Sequence, residues 1–464
     1  MKHKITILIC TLILAGCSGV RNLAPTDTDM PSTYMPGLES DSASIADIEW
    51  WRFYADSTLC RLIRLALDNN RDLLKAGARV EQARQLYGVD KANMLPEISG
   101  LAGASYETNN YGGAGTSKDP EYDLKLTVNW EINLLGSLSW AKKRGAANFA
   151  ATIDDFHAMH MTLISDVASA YFRLIALDNE LAIVRQTLVT RRESLNQAKI
   201  RFEGGLTPET VYQQAKVEYA SAASLIPNLE RQVTVARNAL TLLTGDFPCE
   251  MLERDPMTLN VALPADLPAG VPSALLERRP DLRAAEHRLA AAMADVGVSY
   301  ANRFPNIRLA FTPGLENDAL ARFLQSPFTY SIGTIAGPVF DFGRRKRKYK
   351  AAVAAYDQAR YDYEKAVITA FTEVNTAITT YRKVKETSKL KTELRDATVK
   401  YVQLAHLQYR AGTLNYIDVL DAQRRYFDAQ IGVSNAVRDE YLAIINLYKV
   451  LGGGWADSDD ENRP

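Results

Sequence analysis

Residues 122–134 read YDLKLTVNWEINL, and this stretch carries the strongest β signal in the chain. Apolar and polar side chains alternate strictly along it, which predicts a strand with one apolar and one polar face. A tilted strand needs about 9–11 residues to cross a bilayer, so this strand is long enough to span a membrane. A half-buried strand in a soluble sheet is the alternative interpretation of the same alternation.

The two halves of the chain repeat each other. Residues 201–245 align with residues 408–452 without a gap, so that Gly205 falls on Gly412. A repeat of this length exceeds the units of stacked solenoids and indicates one architecture built twice. We therefore expect each half to contain the same strands and helices.

The repeat predicts two strands in each half. In the first half they are residues 97–108 and 122–134, separated by a loop at residues 109–120. Weaker patterns at residues 306–312 and 328–340 take the matching places in the second half. Four strands leave open edges, which lipid does not tolerate, so membrane strands would require several copies of the chain to close a barrel. Two copies would close a filled eight-stranded barrel, and three a twelve-stranded barrel with a channel.

The remainder of each half is predicted to be helical. One helix is expected over residues 57–94, before the first strand pair. Proline-free stretches then predict very long helices over residues 136–204 and 343–412, each about 100 Å long at ~1.5 Å per residue. Turns after them send the chain back along helices at residues 207–244 and 414–450.

The first long helix carries a heptad pattern. Apolar residues recur every seven positions, which predicts left-handed packing against neighbouring helices. Arg191 interrupts the second seam of this pattern. The first seam consists of Val167, Leu174, Leu181, Leu188, Leu195 and Phe202.

The chain opens with the features of a secretory leader. A basic start and an apolar stretch of about ten residues, too short to span a bilayer, predict a signal peptide at residues 1–16. It ends in Leu14-Ala15-Gly16-Cys17, which resembles the lipobox of bacterial lipoproteins and predicts acylation of Cys17. A plain signal peptide with an incidental cysteine is the alternative. Residues 17–56 are expected to form the lipid anchor and an extended segment.

Five further motifs are spread over the mature chain. Together they resemble the outer-membrane efflux lipoproteins, which are the TolC-like channels of resistance-nodulation-division (RND) pumps. The resemblance covers nearly the whole mature chain. The motifs are the aromatic and leucine pattern WWRFYADSTLCRLIRLALDNNRDL at 50–73, LLERRPDLRAAE at 275–286, YRAG at 409–412, DVLDAQ at 418–423 and LGGGW at 451–455.

The resemblance implies a mainly α fold with a membrane β part, built from duplicated strand–strand–long-helix–hairpin units. Three copies would form a twelve-stranded β-barrel continued by a periplasmic α-helical barrel. The first efflux repeat would span residues 57–250 and the second residues 273–455. A proline-rich equatorial linker at residues 251–272 would join them, and residues 456–464 would form a polar tail.

The implied function is that of an exit duct. The homotrimer would lie in the outer membrane, anchored by lipid and extending into the periplasm. It would conduct drugs or other small molecules passively from a periplasmic adaptor and an inner-membrane RND-type pump to the outside. From the residues alone, a lipid-anchored periplasmic helical adaptor or structural protein remains the alternative.

The resemblance also implies a channel constriction. Asp418 and Asp421 match the family's constriction aspartates, and Tyr409 matches its gating tyrosine. The two carboxylates are three residues apart on one helix face, so a trimer would present six of them at the periplasmic end. Acidic residues also suit a helix N-terminus, which is the structural alternative. The aligned positions in the first repeat are Val211 and Gln214.

Two turns are the expected contacts for the adaptor. The resemblance matches Gly204, Gly205 and Leu206, and likewise Ala411, Gly412 and Thr413, to the tips that meet the adaptor's hairpin. As bare sequence they are helix–helix turns. Leu414 stands where some family members carry an arginine, which puts a polar latch between neighbouring hairpins in doubt.

Basic clusters at residues 142–144 and 344–348 follow the second strand of each half. The whole chain is balanced, with 54 basic and 55 acidic residues, so no nucleic-acid partner is expected. Contact with anionic lipid headgroups or plain solvation is the favoured interpretation of these clusters.

The pattern of reactive residues predicts neither catalysis nor a cofactor. No phosphate loop, nucleophile–histidine pair or spaced Cys/His metal motif occurs. His157 and Met161 share a helix face, but helix packing is favoured there over metal binding. Cys60 and Cys249 permit a disulfide in an oxidising compartment, and free or buried thiols are equally compatible with the sequence.

Overall fold

The structure is a computed structural model that describes residues 31, 33–34, 44–54, 56–110, 116–132, 135–247, 270, 272–337 and 340–455. The predicted signal peptide at residues 1–16, Cys17, Cys249 and the predicted tail at residues 456–464 lie outside the described residues. So does nearly all of the predicted linker at residues 251–272.

Helices dominate the described residues, and four strands interrupt them in two pairs. This order repeats in the two halves, as the sequence predicted. The elements are α1 (Trp50–Phe53), α2 (Ser57–Asn69), α3 (Arg71–Ala92), β1 (Glu97–Asn110), β2 (Thr116–Ile132), α4 (Ser137–Glu203), α5 (Glu209–Thr244), α6 (Leu275–Arg278), α7 (Pro280–Ala301), β3 (Asn306–Asn317), β4 (Pro327–Ala336), α8 (Arg344–Arg410) and α9 (Tyr416–Val450).

The single helix expected over residues 57–94 is wrong, because Asn70 divides it. The backbone of Asn70 is extended (ψ 122°), which ends α2. Its side-chain oxygen then accepts hydrogen bonds from the N–H groups of Asp72 and Leu73, both at 3.0 Å, and so caps α3. Its side-chain nitrogen donates to the carbonyl of Leu243 at 2.9 Å.

The second half breaks at the equivalent residue, Arg279. Its backbone is also extended (ψ 115°) between α6 and α7. Its side chain donates to the carbonyl of Val450 at 3.3 Å, the residue that aligns with Leu243. The duplication therefore extends to individual hydrogen bonds, although an amide performs the role in one half and a guanidinium in the other.

All four strands belong to one antiparallel sheet in the order β1-β2-β3-β4. β1, β2 and β3 are longer than predicted, since Asn110 still pairs with Thr116 and β3 continues to Asn317. Backbone pairing does not require apolar side chains, so a prediction based on apolar side chains missed these polar strand ends. β4 ends at Ala336, before the predicted residue 340. Proline, which cannot donate to a strand ladder, stands in the sequence at position 338.

Strands β2 and β3 together present one apolar and one polar face. The register sets Val128 opposite Phe311 and Trp130 opposite Leu309 on the apolar face, and the side chains of Trp130, Leu309 and Phe311 are exposed in the single chain. Ion pairs and hydrogen bonds occupy the polar face, where Lys125 lies 3.0 Å from Glu316. The alternation that predicted β2 therefore continues in β3 but not in β4, whose Phe328, Tyr330 and Ile332 lie on the polar face.

The described residues divide into two compact units. One unit comprises Ala78–Asp154 and Arg283–Ala366, and contains the sheet. The other comprises the described parts of Asp29–Gly77, Asp155–Leu282 and Val367–Pro464, and contains both helix–helix turns. Each unit draws on both halves of the sequence, so the compact units do not coincide with the repeats.

Three residues of the first heptad seam of α4, Val167, Leu174 and Leu181, are buried, as expected for a packing seam. The exception, Arg191, is buried as well. Its guanidinium lies 2.8 Å from the carboxylate of Glu218 on α5 and also donates to the Glu218 carbonyl at 2.7 Å. A buried charge is tolerated in the seam because it is paired.

Across the described residues, no helix is long and apolar enough to cross a membrane.

Candidate functional site at the helix-hairpin turns

The two turns that end the long helices have the same backbone structure. At the end of α4, the N–H of Gly205 donates to the carbonyl of Phe202 at 2.9 Å, and the N–H of Leu206 donates to the carbonyl of Arg201 at 2.8 Å. Gly412 and Thr413 donate to the equivalent carbonyls at the end of α8, at 3.1 and 3.0 Å. Gly205 and Gly412 have φ of 70° and 76°, the left-handed conformation that such helix ends require.

The residues predicted to contact an adaptor lie at the surface of these turns. Gly204, Gly205 and Leu206 are exposed, and 73% of the Leu206 surface is accessible. The equivalent residues 411–413 are exposed too. The backbone geometry thus presents two similar turns, one tipped by leucine and the other by threonine.

Tyr409 lies beside the second turn and packs against its hairpin partner. Its ring centroid is 5.3 Å from that of Tyr416 on α9, and the guanidinium of Arg201 lies 5.5 Å from its ring. Cation–π contact of this kind holds an aromatic ring in place. Leu414 packs in the same cluster, around buried Val419. The residue at this position therefore makes an apolar contact, and not the polar contact of a latch between hairpins.

Asp418 and Asp421 are both half-buried near the start of α9, but their surroundings differ. The carboxylate of Asp421 accepts 2.7 Å hydrogen bonds from Arg425 and from Arg424. Arg425 is the main cause that lowers the pKa of Asp421, with a further contribution from Arg424. Asp418 forms no ion pair with a described residue. The two carboxylates of the predicted constriction therefore differ, because arginines compensate the charge of Asp421 and no described residue forms an ion pair with Asp418.

The arginines that compensate Asp421 were missed from the sequence. They follow it at spacings of three and four, which places them on the same helix face. The spacing was visible in the motif DAQRR. The contact between Arg201 and Tyr409 had no such signal, because the two residues belong to different hairpins.

A histidine joins the two helices of the second hairpin. A ring nitrogen of His406 on α8 lies 3.0 Å from the side-chain nitrogen of Gln423 on α9. Burial lowers the pKa of His406, and the nearby Arg410 lowers it further. His406 is therefore neutral at pH 7 and acts as a hydrogen-bonding link.

His157 and Met161 serve helix packing. Met161 is buried, and the ring of His157 stacks on Trp455 at 5.2 Å. No group of three or more His, Cys, Asp or Glu residues in the described chain is arranged to hold a metal ion. Cys60 is a free, buried thiol whose pKa is raised by burial.

The family model described as "Outer membrane efflux protein" matches residues 62–246 and 271–453. The chain is 31% identical to the solvent efflux pump outer membrane protein SrpC of Pseudomonas putida, over 99% of this chain and 100% of SrpC. It is 30% identical to the probable outer membrane lipoprotein SilC of Salmonella typhimurium, over 98% of this chain and 100% of SilC. The solved outer-membrane channel OprN has a similar structure, with a TM-score of 0.85 and 29% identity over 93% of this chain and 99% of OprN.

Proposed function

The chain belongs to the outer membrane efflux protein family, and we propose that it is the outer-membrane channel of a tripartite efflux pump. It conducts drugs or other small molecules passively to the outside, without catalysis, after a periplasmic adaptor and an inner-membrane RND-type pump have delivered them. The observation that carries this proposal is the four-stranded sheet, whose strands β2 and β3 are amphipathic and each of whose strand pairs leads into a helix of 67 residues.

The edges of this sheet argue for three copies of the chain. Among the described residues, no strand pairs with the outer edge of β1 or of β4. Unpaired backbone groups are not tolerated in lipid, so each edge must pair with a neighbouring copy. Three copies close a barrel of twelve strands, which is wide enough for an aqueous channel, whereas eight strands are filled by side chains. The polar face with Lys125 and Glu316 then lines the channel, and the apolar face meets lipid.

The proposal also includes lipid anchoring through the leader and the division of the chain into two repeats. The lipobox-like end of the leader supports cleavage before Cys17 and lipid anchoring in the outer membrane. The similarity to SilC, a probable outer membrane lipoprotein, supports the same anchoring. The repeats at residues 57–250 and 273–455, joined by the linker at residues 251–272, supply equivalent strand pairs and hairpins to the trimer.

We place the constriction at the second hairpin. Asp418, Asp421 and Tyr409 lie near its turn, while Val211 and Gln214 hold the positions in the first repeat that align with the two aspartates. Three copies would alternate charged and uncharged hairpins around the pore. Because Arg424 and Arg425 compensate Asp421, Asp418 dominates the field at the constriction.

The exposed turns are the proposed contacts with the adaptor. Leu206 offers an apolar surface at one turn and Thr413 a polar one at the other. An adaptor that binds both turns therefore meets two distinct sites per chain on a common backbone geometry.

Bilayer recording on the full-length, detergent-purified protein tests the proposed function. We expect a stable trimer that inserts into planar bilayers and gives discrete conductance steps. Arginine in place of Leu126, on the apolar face, costs about 2–4 kcal/mol at the bilayer midplane and should block insertion. Arginine in place of neighbouring Thr127, on the polar face, should insert and alter the conductance. A soluble, non-conducting monomer that tolerates both substitutions equally would support the periplasmic adaptor alternative instead.

A further inference from the structure

One end of the sheet carries a row of isoleucines, and both long helices begin shortly beyond this end. Ile132 pairs with Ile307, and Ile307 pairs with Ile335, so the three lie in one row on the apolar face. Because β2 and β4 run in the same direction, α4 and α8 both start at this end of the sheet. In the proposed channel this end faces the periplasm, and the segment described next lies at the level of the inner leaflet of the outer membrane.

Two phenylalanines stand exposed between β4 and α8. Phe340 and Phe342 are 77% and 86% exposed, and their rings contact each other at 4.7 Å between centroids. Phe342 has a φ of 53°, a left-handed conformation that is strained for a bulky residue. Solvent exposure of two adjacent large rings is unfavourable in water and indicates a surface that is covered in the assembled protein.

Uncompensated basic residues follow these rings directly. Arg345 is engaged, since it donates to the carbonyl of Asn302 and lies 3.8 Å from Asp341. Arg344, Lys346, Arg347 and Lys348 are exposed and form no ion pair with any residue that the structure describes. Cations in the first turn of a helix oppose its dipole, so the cluster destabilises α8 unless anions neutralise it.

The equivalent segment of the first repeat is basic as well. Lys143 is exposed at the start of α4, with its ammonium 4.4 Å from the ring of Trp140. Its neighbour Arg144 is paired with Asp295 at 3.0 Å. A basic segment thus follows the second strand in both halves, and in the first half one of its cations lies over an aromatic ring.

We propose that Phe340, Phe342 and the four basic residues Arg344, Lys346, Arg347 and Lys348 form a binding surface for anionic phospholipid headgroups of the inner leaflet. The rings insert at the level of the glycerol backbone, continuing the apolar face beyond Ile335, and the cations contact the phosphates. This inference rests on the proposed function, because it requires the sheet to lie in the outer membrane.

The experiment compares lipid retention by the full-length protein from phosphatidylcholine vesicles with and without phosphatidylglycerol. In the test variant, Arg344, Lys346, Arg347 and Lys348 are changed to glutamine. The matched control changes four exposed cations elsewhere on α8, namely Arg382, Lys389, Lys391 and Lys400, to glutamine. Native mass spectrometry counts the lipid retained per trimer. We expect phosphatidylglycerol retention to fall at least about tenfold in the test variant and to stay unchanged in the control.

A second measurement does not depend on the charge variant. Phe342→Trp in the otherwise unchanged protein should gain fluorescence that brominated phosphatidylglycerol quenches, relative to the parent chain. Equal retention in both glutamine variants, or no added quenching, would overturn the proposal. A smaller fraction of trimer in the test variant, with unchanged phosphatidylglycerol retention by the trimers that remain, would overturn the proposal and identify the surface as a contact between copies. Conductance is recorded on the same samples, so that a conducting channel without lipid preference refutes this inference and leaves the proposed function intact.

Discussion

Asp421 accepts a 2.7 Å hydrogen bond from Nε of Arg425, one turn further along α9. Its other oxygen accepts a bond of the same length from Arg424. Both arginines lie on the same chain and helix as the aspartate, so the charge at this point of the proposed constriction is compensated within each subunit. Asp418, one turn earlier, has no such partner among the described residues.

The first prediction concerns ion selectivity. Asp418→Asn should reduce the preference for cations more than Asp421→Asn, because only Asp418 presents an uncompensated charge. Changing both Arg424 and Arg425 to glutamine should raise the preference by releasing the charge of Asp421. Reversal potentials under a salt gradient across a planar bilayer measure all three changes.

The control for selectivity is Asp396→Asn, an exposed carboxylate on α8 that pairs with Arg395 at 2.7 Å. It should leave the reversal potential unchanged. Equal effects of Asp418→Asn and Asp421→Asn would show that the arginines do not screen Asp421 in the assembled pore.

The second prediction concerns the charge in the heptad seam. Arg191→Ala should lower the free energy of unfolding by about 3 kcal/mol, since it leaves Glu218 without its partner in a largely buried position. Replacing both Arg191 and Glu218 by methionine should restore most of this loss, because apolar residues of similar volume suit the seam. Thermal unfolding of the trimer in detergent gives the comparison.

An exposed pair between the same two helices provides the matched control. Arg185 and Glu230 lie 2.7 Å apart, with 58% and 49% of their side-chain surfaces accessible. Arg185→Ala should cost less than about 1 kcal/mol. Similar losses for Arg185→Ala and Arg191→Ala would mean that burial does not govern the strength of the inner pair.

The third prediction separates backbone strain from steric collision at four glycines. Gly205 and Gly412 have positive φ and open space around an added Cβ, so alanine there should cost about 1–2 kcal/mol. Gly245 and Gly452 have similar φ, but an added Cβ would lie 2.4 Å from the carbonyl oxygen of Asn69 and 2.9 Å from that of Arg278. Alanine there should cost clearly more.

Thermal unfolding of the four single variants checks this order. The two glycines of each class come from equivalent places in the repeat, so each provides a control for the other. A loss at Gly205 or Gly412 as large as that at Gly245 would show that the turns are packed in the assembled protein.

The fourth prediction concerns acid. Burial, together with the nearby His157, lowers the pKa of His160 to about 4, although a hydrogen bond with the backbone of Gly454 acts in the opposite direction. The unfolded chain therefore binds this proton more readily than the folded chain. The stabilisation is fully present above a pH of about 6.5 and is lost as the pH falls towards about 4.

His160→Gln tests this dependence. The variant should lose less stability than the parent chain between about pH 7.5 and about pH 4.5, because it has no proton to take up at this position. Unfolding midpoints at constant ionic strength measure the difference. Parallel curves for the two proteins would assign the acid sensitivity to other groups.

Local sequence patterns predicted most helices and strands, but they did not predict contacts between residues far apart in the sequence. The alternation in β2 predicted its strand directly, and β3 and β4 followed from the repeat. The ends of β1 and β2 were misplaced, because Asn110 and Thr116 pair through their backbones in a polar stretch. The division of the expected helix at Asn70 was missed as well, since the partner that anchors its side chain, Leu243, lies far along the chain.

The candidate site divides in the same way. Motifs located Tyr409, Asp418 and Asp421 on the hairpin, and the glycines predicted both turns. That Arg201 contacts Tyr409, and that Asn70 and Arg279 reach equivalent carbonyls at Leu243 and Val450, emerged from the folded chain alone. Periodicity is a property of neighbouring residues and can be read along one dimension. Contacts between distant residues depend on how helices and strands pack in three dimensions, and a linear pattern of residues does not contain that information.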